Sequence, residues 1–390
     1  MEHDLAGGIY IHIPFCLKKC FYCDFYSEAA DDKDLRALYI GALLADIEFY
    51  GKKYGKASGK APGSFEADTI FFGGGTPSLM EPEHIETVIS ALKEKFNVAE
   101  NAEITMEANP ATLSASKLCG YKNAGVNRLS IGAQSFDDRV LEGLGRVHRA
   151  RDIAETVAMA RQAGFDNINL DLMFAVPNQT MDSWKESLEK IIHIKPEHIS
   201  FYSLEIAENT PFGRWLEEGK LTETPVSEDR QMYSLGIEML EAAGYEHYEI
   251  SNMALSGREC RHNLKYWQMD DYLGLGPSAH SFMEGERFSS IGDVYKYIEM
   301  NPDERVQDIY QNSLNDNASE FVFTALRTKD GVSLEAFKKR IGVEFWQHYI
   351  DCREEFGKYV LDGYAVCDET HIALTAKGID ISNKIMAIFV

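Results

Sequence analysis

Short runs of alternating or continuous apolar residues recur through the first two thirds of the chain. They lie at 8–14 (GIYIHIP), 69–74 (TIFFGG), 103–110 (EITMEANP), 128–134 (RLSIGAQ), 167–174 (NINLDLMF) and 198–206 (HISFYSLEI). Their period and β-branched content predict strands. Between them, 35–50 spaces Leu38, Leu43, Ile47 and Tyr50 as one face of a helix, and 85–96, 150–163 and 182–194 repeat the pattern. Six strand-then-helix units in series predict a parallel sheet with right-handed crossovers. Six units are too few for a closed eight-fold barrel. The expected fold is therefore α/β, as an open partial (β/α)6 barrel or a doubly wound sheet.

Residues 51–63 (GKKYGKASGKAPG) read as a surface loop. A helix is predicted over 227–243 and a strand over 245–251. Beyond 301 the pattern changes to helices at 318–327 and 334–341, a hairpin at 364–374 turning at 368–370, and a last helix running to the end. That order predicts a mainly helical, winged-helix-like module. The chain divides on this reading into 1–230, a connecting segment 231–300 and 301–390.

Composition narrows the function classes. Of 390 residues 45% are apolar and 26% charged, which suits a globular protein with a substantial core. The net charge of −23 argues against nucleic acid as a partner. Acidic residues outnumber basic ones in 303–390 too, so the wing reads as a structural or docking module. No apolar run reaches the roughly 18 residues of a membrane span. The N-terminus MEHDLAGGIYIHIPF has no basic region ahead of an apolar one, so it reads as an early strand and not as a signal peptide. The expected location is the cytoplasm. Seven cysteines, an odd number in a long chain, predict no disulfide framework.

Three of those cysteines fall in one loop after the first strand, as Cys16-x3-Cys20-x2-Cys23. Three thiolates can hold three irons of a [4Fe–4S] cubane and leave the fourth iron open. Zinc is the alternative, but closed zinc sites take four ligands, usually in paired C-x2-C knuckles. His12 lies inside an alternating strand and reads as packed beside it. The second strand ends in FFGGGTP, where glycines let backbone groups approach a ligand closely. Glu107, Gln134, Asp171 and Glu205 stand at the ends of later strands. In βα folds such positions converge on one mouth.

C-x3-C-x2-C after a first strand resembles the signature of the radical S-adenosylmethionine (SAM) superfamily. GIYIHIPFC, FFGGGTPS, MEANP, LSIGAQSF, LGRVHR and DLMFAVPNQT together resemble the group of oxygen-independent coproporphyrinogen III oxidase and its haem-chaperone relatives, from about residue 8 to the end. The resemblance implies that the open iron chelates SAM, whose one-electron reduction yields a 5′-deoxyadenosyl radical. It carries cluster ligation onto Cys16, Cys20 and Cys23. It carries SAM contacts onto Tyr10, Tyr22, Gly74, Gly75, Thr76, Glu107, Gln134, Arg146 and Asp171.

Two features divide the group. The oxidase has a further cysteine two residues past the third, where Phe25 stands here, and an extension before its first strand, where about eight residues stand here. His262-Asn263-Leu264-Lys265-Tyr266-Trp267 matches the HNxxYW motif that the chaperones use for haem. A neutral imidazole is a common axial haem ligand. Lys265 or Arg261 could then meet a propionate. The resemblance thus implies a haem chaperone without catalytic residues of its own, carrying a SAM-bound cluster. It would pass haem to a haem-requiring client, and it leaves open a client in the membrane and the oligomeric state. The alternative is the oxidase reaction itself.

Overall fold

The computed structural model describes residues 6–29, 32–58 and 65–390. Six parallel strands form its centre: β1 (Ala6–Ile13), β2 (Glu66–Gly74), β3 (Asn97–Ala108), β4 (Arg128–Gln134), β5 (Ile168–Phe174) and β6 (His198–Ser203). Each pairs in parallel with the next. The returns run through α1 (Lys33–Lys53), α2 (Pro82–Lys95), α3 (Ala115–Ala124), α4 (Ala150–Gln162) and α5 (Met181–Ile194), and α6 (Val226–Ala242) follows β6. This is the expected partial (β/α)6 arrangement.

The sheet stays open. Beyond β6 it gains the antiparallel strands β7 (Glu246–Glu249) and β8 (Asn252–Ala254). Beyond β1 it gains β9 (Tyr272–Leu275), parallel to β1. Then come β10 (His280–Met283), β11 (Glu286–Ser290) and β12 (Val306–Gln311), all antiparallel. The division expected at 230/231 falls inside α6, and β12, past the one at 300/301, still pairs within this sheet. Of the expected 51–63 loop, Gly51–Lys53 continue α1, and 59–63 lie outside the described residues.

Side-chain alternation positions the site. Ile9, Ile11 and Ile13 of β1, and Leu129, Ile131 and Ala133 of β4, lose all their solvent exposure in the main core. Full burial of a branched aliphatic side chain contributes about 1.5–3 kcal/mol. The intervening residues of β4, Arg128, Ser130, Gly132 and Gln134, line an interior cavity instead. Helix ends are capped locally: Asp32 accepts from the N–H groups of Asp34 and Leu35 ahead of α1, and Thr180 and Ser183 cap α5 reciprocally.

A second core holds the C-terminal helices with the hairpin strands Ala365–Cys367 and His371–Leu374. The single last helix expected from the sequence is broken into Ala376–Ile379 and Ser382–Met386, then a tight turn at Ala387–Phe389. The breaks let Ile385, Met386 and Phe389 all turn into this core.

Candidate functional site

The inner face of the parallel strands encloses a cavity of about 740 Å³, within the range of small-molecule sites. Its roof is the loop after β1, which presents Cys16, Cys20, Tyr22, Cys23 and Phe25. Gly74, Gly75 and Thr76 at the end of β2 join them, with Glu107, Gln134, Arg146 and Asp171 from the following units. Eight of the residues expected at SAM therefore line one space with all three cysteines. Glu205 lies past the end of β6, exposed at the rim of the same cavity.

Tyr10 is placed differently. It stands one layer behind the glycines, its hydroxyl 3.1 Å from Nδ1 of His12, and it does not line the cavity. His12 turns its Nε2 to the carbonyl of Tyr26 at 2.9 Å and is buried. It is a packing residue, as the alternation predicts.

The glycines are required by geometry. Gly74 has φ +104°, and a Cβ there would meet the His12 ring at 2.6 Å. A Cβ on Gly75 would meet the carbonyl of Phe15 at 2.7 Å. Its N–H donates to Ile13 O at 2.8 Å, so the GGGT segment is laced directly to the cysteine loop.

The donor set fits a cluster with SAM. The three cysteines are free thiols. Thr76 Oγ1 donates to Cys16 Sγ at 3.5 Å, and Arg146 Nη1 donates to Cys20 Sγ at 3.6 Å. Burial, with Cys20 and Cys16 nearby, pushes the Cys23 thiol up to about 11. Among the described residues no three His, Cys, Asp or Glu side chains converge as one metal ion would need. A cubane instead takes its thiolates on separate irons. Arg146 is anchored by Gly132 O at 2.7 Å, while its buried Nε has no partner among the described residues. That leaves a donor of the kind a ligand carboxylate would accept from. Glu107 accepts from Gly74 N–H at 3.2 Å. Burial and the nearby Asp171 push its carboxyl up to about 8. A buried carboxyl of this kind is an acceptor that would suit an ammonium group. Tyr202 donates to Gln134 Oε1 at 3.2 Å and fixes that side chain on a residue with φ +62°.

The HNLKYW motif forms the short helix α7 (Arg261–Trp267), which plugs the floor. Glu103 of β3 caps it, accepting from the N–H groups of Arg261 and His262 at 3.4 and 3.3 Å. Cys260 and Asn263 face the cavity, but His262 does not. His262 is 1% exposed and stacks on Phe71 at 5.2 Å. Its Nδ1 lies 2.8 Å from Thr69 Oγ1, and its Nε2 lies 2.9 Å from the Tyr266 hydroxyl. Lys265 and Arg261, expected to be free for a propionate, are both held by Asp68 at 3.0 Å. The sequence reading passed over Arg128, Asn169, Ser200, Tyr202 and Asn252, which line the rest of the cavity. Asn169 shares the inward parity of Asp171, and Ser200 pairs with Asp171 across the strands, whereas Arg128 shows its inward position only once the strands are assembled.

Comparison with known proteins agrees with this geometry. Residues 10–191 match the model of the radical SAM superfamily, and residues 312–381 match that of the HemN C-terminal domain. The chain is 32% identical over 386 residues to the haem chaperone HemW of Lactococcus lactis, covering 98% of this chain and 97% of that one. It is 36% identical to HemW of Bacillus subtilis over 85% and 86% of the two chains. It is 39% identical to HemW of Escherichia coli over 70% and 69%. Among solved structures, coproporphyrinogen III oxidase (HemN) of Escherichia coli, described as a radical SAM enzyme, superposes with a TM-score of 0.85 at 22% identity. The superposition covers 98% of this chain and 90% of that one, a likeness of fold. The superfamily implies a [4Fe–4S] cluster and SAM, and the residues of the roof suit both.

Proposed function

The chain belongs to the HemW family within the radical SAM superfamily, and from that premise we propose that it binds haem and hands it to haem-requiring client proteins. The observation that carries this reading is a shared cavity. The cysteine loop forms its roof, and the HNLKYW segment reaches its floor through Asn263, with Cys260 just ahead of the motif. A cargo seated there touches both motifs at once.

The walls suit a flat ring. Phe25, in the position of the oxidase's further cysteine, is 70% exposed at the mouth, and Phe71 lies deeper. Aromatic faces of this kind pack well against a porphyrin. His262 is the axial ligand in this reading. Burial, with Lys265 and Arg128 nearby, pulls its pKa down to about 3. The imidazole is therefore neutral, the form that binds iron. To reach iron it has to leave Tyr266.

One-electron cleavage is the chemistry that SAM on such a cluster supplies when both are bound. This chain's own residues orient SAM through Glu107 and Arg146. No helix among the described residues is long and apolar enough to cross a membrane. We assign the protein to the cytoplasm, with the client either there or at the membrane face.

The test is one anaerobically reconstituted sample assayed twice. Haem titration should give a saturable Soret band that His262→Ala weakens. Incubation with coproporphyrinogen III, SAM and a reductant should leave the porphyrinogen unchanged. Absence of haem binding, or formation of protoporphyrinogen, overturns the proposal.

A further inference from the structure

Two guanidinium groups face the cavity from opposite ends. Arg146 belongs to the roof, beside Cys20. Arg128 belongs to the floor. It is the first residue of β4, 1% exposed, and it lines the cavity.

A buried cation is normally held by hydrogen bonds from a paired anion, because desolvation otherwise disfavours it strongly. Arg128 lacks that arrangement. Its Nε has no hydrogen-bond partner among the described residues. Burial disfavours its charge, and the nearby carboxyl groups of Glu103 and Asp171 oppose this through space. The two carboxylates are occupied elsewhere. Glu103 accepts from α7. Asp171 accepts from Asn169 Nδ2 at 2.6 Å and from Ser130 Oγ at 3.4 Å. Asn263, on the α7 side of the floor, lines the same space. The floor thus offers a buried planar donor with no hydrogen-bond acceptor among the described residues.

We propose that the cavity floor is a carboxylate subsite, with Arg128 as its receptor and Asn263 beside it, and that it takes a propionate of haem. The identity of the ligand rests on the haem reading above. A guanidinium matches a carboxylate bidentately, which Lys265 and Arg261, both held by Asp68, are not free to do. The SAM carboxylate stays at the roof with Arg146. The floor therefore recognises the acidic edge of the cargo while the apolar ring lies toward Phe71 and the mouth.

The experiment uses the full-length reconstituted protein with two probes, haemin and haemin dimethyl ester, whose propionates are blocked. Wild type should bind haemin about tenfold or more tightly than the ester, as a charged hydrogen-bonded pair implies. Arg128→Gln should weaken haemin to the level of the ester and leave the ester and SAM unchanged. Arg128→Lys should keep part of the preference. Equal binding of acid and ester by wild type overturns the subsite and leaves the haem reading intact. Equal weakening of both probes by Arg128→Gln, or weakening of SAM, assigns Arg128 to the framework and overturns it too. Failure of wild type to bind either probe overturns the haem reading itself. If Arg128→Gln does not fold, the comparison of acid and ester on wild type still decides.

Discussion

Nδ1 of His262 lies 2.8 Å from Oγ1 of Thr69, across the seam between α7 and β2. The opposite ring nitrogen faces Tyr266. The two contacts have opposite consequences if Nε2 takes iron. The Tyr266 hydroxyl competes with the metal, whereas Thr69 orients the ring from behind, as outer-shell partners of metal-bound histidines do. Tyr266→Phe should therefore raise haem affinity and Thr69→Val should lower it. Each change should be about fivefold, the worth of one hydrogen bond near 1 kcal/mol. Soret titration of both variants checks this. Effects of the same sign in both would remove Nε2 from the ligand role.

Much of this architecture is legible in the chain. Strand alternation locates β1 to β6, and the cysteine spacing locates the roof, because both depend on local sequence. The blind spots are long-range. Nothing near His262 reports that Thr69 lies opposite, since 193 residues separate them. Arg261 and Lys265 read as free cations until Asp68 is brought beneath them by the pairing of β2 with β1. Arg128 reads as an ordinary strand-start arginine until the neighbouring strands place it inside. The edge strands β9 to β12 are short and lack a clean period, so the connecting segment hides its membership of the sheet.

The cluster assignment predicts a clean division among the cysteines. Cys16, Cys20 and Cys23 share the roof, whereas Cys119 and Cys367 are exposed elsewhere. Alanine at any of the first three should abolish the broad charge-transfer absorbance of reconstituted protein and its roughly four irons per chain. Alanine at Cys119 or Cys367 should leave both unchanged. Retention of full iron by a roof variant would refute the ligand set.

Glu107 couples stability to pH. Burial first, then Asp171, push its carboxyl up to about 8 from an ordinary 4.5. The native state thus keeps a proton that the unfolded chain has already released. Its stabilising share is full below the ordinary carboxyl range and is lost as pH rises through the folded value. Between about pH 5 and 8, the urea midpoint of SAM-free wild type should fall more steeply than that of Glu107→Gln. SAM affinity should rise over the same range, because a bound ammonium favours the ionised carboxyl. Parallel slopes in the two proteins would exclude Glu107 as the source.

The pair Asp46–Arg305 tests how α1, the helix following the cysteine loop, is fastened. Arg305 Nη1 lies 2.5 Å from Asp46 Oδ1, both side chains are buried, and the guanidinium also donates to Ala42 O and Met300 O. Tyr297 donates to the other Asp46 oxygen. Burial raises the Asp46 pKa, and Arg305 opposes that rise. Removing one partner leaves the other charge buried and uncompensated, whereas replacing both by apolar groups removes the desolvation penalty along with the attraction. Asp46→Ala should therefore cost about 3–5 kcal/mol in urea unfolding. The double variant Asp46→Leu with Arg305→Met should recover most of that loss. Since α1 packs on β1, whose end carries the cysteines, Asp46→Ala should also lower iron retention after reconstitution, and the double variant should restore it. A double variant no more stable than Asp46→Ala would show that hydrogen bonding to Tyr297 and the α1 backbone, and not charge compensation, fastens the helix.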